Sequence, residues 1–134
     1  MNSPRLISLF HYGTGLMDTL TGLCLVFLPT WTLHLMGVSP RTDHIFVSYI
    51  GIFVCAVGCS HFLAGPFPTD DTSRERWKTI WKISALVRIL VALFVLVKIM
   101  RSQFEPAWIS VAATDLVVAL ILLNFLQRRV LETP

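Results

Sequence analysis

The stretch TIWKISALVRILVALFVLVKIM, residues 79–100, decides the fold class of this chain. Its charged residues are Lys82 near the start, Arg88 in the middle and Lys98 near the end, and nearly all the rest is apolar. At a rise of about 1.5 Å per residue, a helix of this length crosses the hydrocarbon core of a bilayer, which is about 30 Å thick. The stretch therefore predicts a transmembrane helix.

Three other apolar runs have a similar length. The four predicted spans cover residues 6–28, 45–65, 79–100 and 107–126. Helices are expected because lipid offers no partner to backbone polar groups. The first run is expected to stay in the protein, since it is longer than a usual signal core and contains His11 and Asp18. The sequence thus predicts one all-α domain over residues 1–134, an antiparallel four-helix transmembrane bundle that is a multi-pass protein of the cell membrane.

Composition supports a lipid-facing surface. Hydrophobic residues make up 54% of the chain and charged residues 14%, whereas a soluble domain carries about 25% charged residues. The net charge of +3 is not gathered into a basic patch with interleaved aromatic residues, which argues against nucleic acid as a partner. Cys24, Cys55 and Cys59 lie inside apolar runs without a CxxC pair, so we expect packing residues and no disulfide framework.

The distribution of basic residues predicts the orientation. In a four-span protein, the N-terminus, the middle connection and the C-terminus share one side of the membrane. That side holds Arg5, Arg74, Arg76, Lys78, Arg128 and Arg129, and the other side holds Arg41, Lys98 and Arg101. The positive-inside rule therefore favours cytoplasmic N and C termini.

The two longer connections carry local signals. Residues 30–36 are predicted to form a short interfacial helix that is stopped by Gly37 and Pro40. The connection over residues 66–77 begins with two prolines and becomes polar, and either Thr72 or Ser73 is expected to cap the helix that follows.

Asp18, Arg88 and Asp115 fall near the middle of the first, third and fourth spans. A lone charge at the bilayer centre costs roughly 2.5 to 3.5 kcal/mol, so these three side chains are expected to point inward and pair. One arginine against two aspartates leaves a negative charge, and one aspartate would be protonated or take a proton or partner from His11 or Lys82. The cluster is either a structural ion pair or a proton-linked or substrate-binding site.

His11 and His61 lie at a similar inferred depth on the first and second spans. Two histidines that face each other across a bundle can bind haem iron axially, and a quinone or lipid contact is a second alternative. Ordinary hydrogen bonds between helices are the third. His34 and His44 belong to the opposite membrane face, so the four histidines predict no metal site.

The motifs in these spans resemble those of the DoxX-like group of small four-helix membrane proteins. They are TGLMDTLTGL in the first span, LMGVSP after it, YIGIFVCAVG in the second and VRIL in the third. The resemblance implies the four-helix fold. Members of that group include a subunit of a thiosulfate:quinone oxidoreductase and helpers of membrane-protein assembly, so the resemblance implies no single activity.

Three functions remain open from the sequence. The first is a non-catalytic subunit or assembly partner of a larger membrane complex, with a redox complex as one alternative and other subunits or a second copy as partner. The second is a small proton-coupled transporter that uses Asp18, Arg88 and Asp115. The third is a haem- or quinone-binding protein that uses His11 and His61. The sequence carries no nucleotide-binding loop or nucleophile motif, which favours a protein that is not an enzyme.

Overall fold

The computed structural model describes residues 4–39 and 43–132, and these residues are helical except for short connections. The helices are α1 (Pro4–Phe27), α2 (Pro29–Leu35), α3 (His44–Leu63), α4 (Asp71–Met100) and α5 (Ile109–Gln127), with a 3-10 turn at Pro106–Trp108. The described part of the chain contains no β-strand. The predicted all-α class is confirmed for these residues.

Three helical segments are long and apolar enough to cross a membrane: His44–Leu63, Asp71–Met100 and Pro106–Gln127. Within their most apolar windows, only 22% to 28% of the residues are buried inside the structure. A soluble protein rarely leaves so much contiguous apolar surface in water. The three segments therefore indicate a membrane protein.

Helix α1 has 24 residues but does not belong to those three apolar segments. The reason is its polar and small side chains, which lower its average hydropathy. His11, Thr14, Gly15 and Asp18 are buried, and the exposed residues include Leu9, Leu16, Leu20 and Leu23. These polar residues of α1 thus face the protein, and these leucines face outward.

Helix α4 begins at Asp71, before the apolar run of residues 79–100 from which the third span was predicted. Asp70 caps it, with Oδ1 accepting a hydrogen bond from the Ser73 amide at 2.9 Å, while the Ser73 hydroxyl lies 3.4 Å from the Asp70 amide. The prediction that Thr72 or Ser73 is the cap was wrong, because Ser73 is instead the third residue of a capping box. The hydrogen bonds that the Ser73 amide and hydroxyl donate to the Asp70 carboxylate lower the pKa of that carboxyl group.

A short helix, α2, is present where residues 30–36 were predicted to form one. It ends before Gly37, which adopts a φ of +71°, a conformation that favours glycine. Pro40, the other predicted stop, and Arg41, counted for the orientation, lie outside the described residues.

The four long helices form two close pairs. Helix α1 packs on α3 through glycines, and a Cβ added to Gly22 would lie 2.6 Å from the Gly51 carbonyl oxygen. Helix α4 packs on α5, where Ala85, Ala92, Ala112 and Ala119 are buried. Small residues at both contacts let the backbones approach, as is usual between membrane helices.

Buried apolar side chains form clusters at both ends of the four helices. At one end, called here the Trp77 end, the core includes Ile7, Trp77, Trp81, Leu122 and Phe125. The opposite end, called the Trp108 end, is filled by aliphatic side chains: Leu25, Leu33, Val38, Val47, Ala92, Val95 and Ala112. The polar interior lies between these two apolar layers.

Candidate functional site

Arg88 lies at the centre of the polar interior. Its Nη1 donates a hydrogen bond to Asp115 Oδ1 at 2.6 Å, and its Nη2 donates one to Asp18 Oδ2. The side chains of Arg88, Asp18 and Asp115 are 5%, 8% and 17% exposed. The structure thus brings together the three ionisable residues that the sequence places near mid-span, and we call them the charge cluster.

The position of Arg88 on α4 explains why it meets both carboxylates. Ala85 and Ala92 flank it on the same buried face and leave room for its long side chain. Asp18 comes from the α1–α3 pair and Asp115 from the α4–α5 pair. Arg88 therefore joins the two helix pairs through one planar guanidinium, whose donors suit carboxylates.

The charges of this cluster do not balance. One guanidinium meets two carboxyl groups, each of which uses a single oxygen for its bond to Arg88. Among residues 4–39 and 43–132, no donor is hydrogen-bonded to Asp18 Oδ1 or Asp115 Oδ2. The two additional partners considered from the sequence do not supply one, because Lys82 is exposed and His11 bonds to other groups.

The two histidines predicted to lie at similar depth touch each other, and we call them the histidine pair. Their Nδ1 atoms are 3.2 Å apart, and both residues are fully buried. His11 Nε2 lies 2.8 Å from the His61 carbonyl oxygen, and the Trp81 indole N–H donates to His11 Nδ1 at 2.9 Å. The His11 ring also stacks on Trp77 with centroids 3.9 Å apart.

These contacts are consistent with one set of proton positions. Since Trp81 donates to His11 Nδ1, that nitrogen accepts, and His11 Nε2 carries the proton given to the His61 carbonyl. The N–H of His61 Nδ1, 3.2 Å away, then shares the single lone pair of His11 Nδ1 with Trp81, and His61 Nε2 accepts from the Ser84 hydroxyl at 3.4 Å. Both imidazoles are neutral in this arrangement.

Ser84 connects the histidine pair to the charge cluster. Its Oγ lies 3.4 Å from His61 Nε2 and accepts from Arg88 Nε at 3.4 Å. The sequence interpretation missed Ser84 and Trp81 as members of the site. Their signal was spacing, because residues 81, 84 and 88 follow i, i+3, i+7 and so share one helix face with Arg88.

The histidine pair does not fit a haem. In a haem with two axial histidines, the iron and its porphyrin lie between the two rings, whereas these rings are in contact, with Nδ1 atoms 3.2 Å apart and centroids 4.6 Å apart. The rings are also enclosed by Trp77, Trp81 and Ser84, so they present no free edge to a quinone. Of the three alternatives for His11 and His61, this geometry corresponds to hydrogen bonds between helices.

The other side chains that could bind a metal ion are dispersed in the structure. No group of three or more His, Cys, Asp or Glu side chains within residues 4–39 and 43–132 is arranged to hold a metal ion. The three cysteines are free, and Cys59 is exposed on α3 with its Sγ 4.0 Å from the Thr19 hydroxyl.

Comparisons of the chain with protein-family models, curated proteins and solved structures gave no match.

Proposed function

We propose that this chain is a four-span protein of the cell membrane with cytoplasmic N and C termini. The observation that carries the proposal is the Arg88–Asp18 ion pair, which fixes α1 beside α4 at the middle of an apolar segment. Because α1 is held beside the middle of α4, α1 lies within the bilayer together with α4. The exposed leucines of α1 then face lipid, and its polar face is shielded by protein.

The orientation follows from the basic residues. Arg5, Arg74 and Arg128 belong to the Trp77 end, and Lys98 and Arg101 belong to the Trp108 end. The more basic Trp77 end is assigned to the cytoplasm by the positive-inside rule.

Cysteine labelling tests both the number of spans and their direction. Single cysteines would replace Pro4, His44, Thr69 and Gln103, all exposed, in a background whose three native cysteines are alanine. With a membrane-impermeant maleimide on intact cells, we expect labelling at positions 44 and 103. Positions 4 and 69 should react only after permeabilisation.

Two outcomes would contradict this topology. Labelling of positions 4 and 44 from the same side would mean that α1 does not cross the membrane. Labelling of 4 and 69, with 44 and 103 protected, would reverse the orientation.

The activity that we propose is that of a non-catalytic subunit or assembly partner of a larger membrane complex. The buried polar groups are hydrogen-bonded mainly to one another: the histidine pair, Ser84 and the charge cluster hold four helices together. The outward surface is mainly apolar side chain, including the aromatic row Phe46, Tyr49 and Phe53 on α3. Lipid and partner helices are the natural contacts of such a surface.

A proton-coupled transporter is the second candidate. It is favoured by the unbalanced charge of the cluster. It is disfavoured by the aliphatic packing at the Trp108 end, where Leu25, Leu33, Val38 and Val47 are buried side by side between the cluster and the opposite face. Membership of the DoxX-like group is likewise proposed, on the sequence motifs alone.

Gentle purification from the native membrane tests the subunit role. We expect a tagged chain to copurify with other membrane proteins in fixed stoichiometry by native mass spectrometry. The absorption spectrum of the chain freed from those partners should show no Soret band, because the histidine pair does not fit a haem. Recovery of the chain alone, in a detergent that preserves respiratory complexes of the same membrane, would contradict the subunit role.

A further inference from the structure

We propose that the charge cluster binds one exchangeable proton, shared by Asp18 and Asp115, and that this proton does not arrive along the histidine pair. The inference goes beyond the role of a membrane subunit. It rests on the proposal that the cluster lies within the bilayer, which the cysteine labelling tests separately.

The first step is the charge of the cluster. With both carboxyl groups ionised, Arg88 leaves one negative charge uncompensated among helices that face lipid. An uncompensated buried charge is costly, and a carboxyl group in that position takes up a proton instead. One proton, transferred from hydronium to a carboxylate with release of water, makes the cluster neutral.

The second step is the geometry of the carboxyl groups. Each uses one oxygen for Arg88 and keeps the other, Asp18 Oδ1 or Asp115 Oδ2, without a hydrogen-bond donor from the described residues. Two carboxyl groups on the same guanidinium share one titration and cannot be treated as independent acids. The proton is therefore assigned to the pair.

The third step excludes the histidine pair as the route. Arg88 Nε donates to Ser84 Oγ, and the Ser84 hydroxyl is then directed at His61 Nε2. A guanidinium has donors only and stays protonated, so it does not accept a proton that arrives through Ser84. The chain of hydrogen bonds from the histidines thus ends at Arg88.

The fourth step compares the two carboxyl groups. Asp115 lies on the buried face of α5, between Ala112 and Ala119, yet its side chain is 17% exposed, twice the value for Asp18. Asp115 is therefore the less enclosed carboxyl group of the pair.

The other ionisable groups that face the cluster are few. Helix α1 contributes His11, α3 contributes His61 and α4 contributes Arg88 itself, and the two histidines are neutral in the arrangement above. The other six carboxylates of the chain are exposed: Asp43, Asp70, Asp71, Glu75, Glu105 and Glu132. A buried protonated carboxyl group should therefore be distinguishable from them.

Infrared difference spectroscopy of the purified protein in nanodiscs tests the proton count. The readout is the C=O stretching band of a protonated carboxyl group at neutral pH. We expect one such band in the native chain and its loss in both Asp18→Asn and Asp115→Asn, because a single remaining carboxylate is balanced by Arg88. Arg88→Lys keeps the charge and should keep the band.

Two results would overturn the proton count. One is a native chain without the band. The other is a band that persists in both asparagine variants. Size-exclusion profiles that match the native chain would show that the variants have folded. If one asparagine variant does not fold, Arg88→Lys supplies a folded comparison.

The route is tested by the rate at which the band shifts in D₂O. Ser84→Ala interrupts the path from the histidines, and we expect the exchange rate to stay within about twofold of the native value. A severalfold slower exchange in Ser84→Ala would show that the proton passes through Ser84 and would refute the exclusion of the histidine pair.

Discussion

Replacing Arg88 with leucine is expected to abolish most of the folded protein. The change leaves Asp18 and Asp115 without their shared donor, and breaking a buried ion pair by removal of one partner costs about 3 to 5 kcal/mol. Protonation of both carboxyl groups would recover only part of this loss, because the link between the two helix pairs is gone. The yield of monodisperse protein in detergent and its thermal unfolding temperature measure the effect.

Removal of the carboxylates that Arg88→Leu leaves unpaired should restore part of the folded yield. We expect Arg88→Leu/Asp18→Leu to give more folded protein than Arg88→Leu, and the triple variant with Asp115→Leu to give more again. Lys82→Leu is the matched control, since it removes an exposed cation from the same helix and should change the yield little. If neither aspartate substitution rescues Arg88→Leu, the cluster does not stabilise the fold as an ion pair.

The charge cluster was predictable from the sequence because its depth and its helix faces are both readable there. Asp18, Arg88 and Asp115 each fall near the middle of an apolar run, and charges at that depth have few alternatives to pairing. What the sequence did not reveal is the link through Ser84. A serine in a membrane helix can bond to its own backbone, and only the positions of His61 and Arg88 show that this hydroxyl bridges them.

Helix α1 shows a second limit of the sequence. Its run was predicted to span the membrane like the others, yet its mean hydropathy falls below theirs because it contains polar residues such as His11 and Asp18, which face the interior. An average over all residues cannot separate an inward polar face from an outward apolar one. Likewise, the glycines of α1 and α3 are visible in the sequence, but the backbone contact that they allow depends on the register between the two helices.

The closeness of α1 and α3 makes their glycines sensitive to a single methyl group. A Cβ at Gly22 would lie 2.6 Å from the Gly51 carbonyl oxygen, and one at Gly58 would lie 2.7 Å from the Gly15 carbonyl oxygen. These obstacles are backbone atoms, so the helices must separate. We expect Gly22→Ala and Gly58→Ala each to destabilise the protein by about 1 to 3 kcal/mol or more, which is typical of overpacking.

Gly13→Ala is the matched control for this prediction. A Cβ at Gly13 has no atom within 4 Å, and alanine is favoured over glycine in a helix by roughly 0.5 to 1 kcal/mol. The same substitution on the same helix should thus raise the unfolding temperature at position 13 and lower it at position 22. Equal effects at the two positions would mean that α1 and α3 do not pack through Gly22. The packing of α1 on α3 would then not explain the depth at which Asp18 meets Arg88.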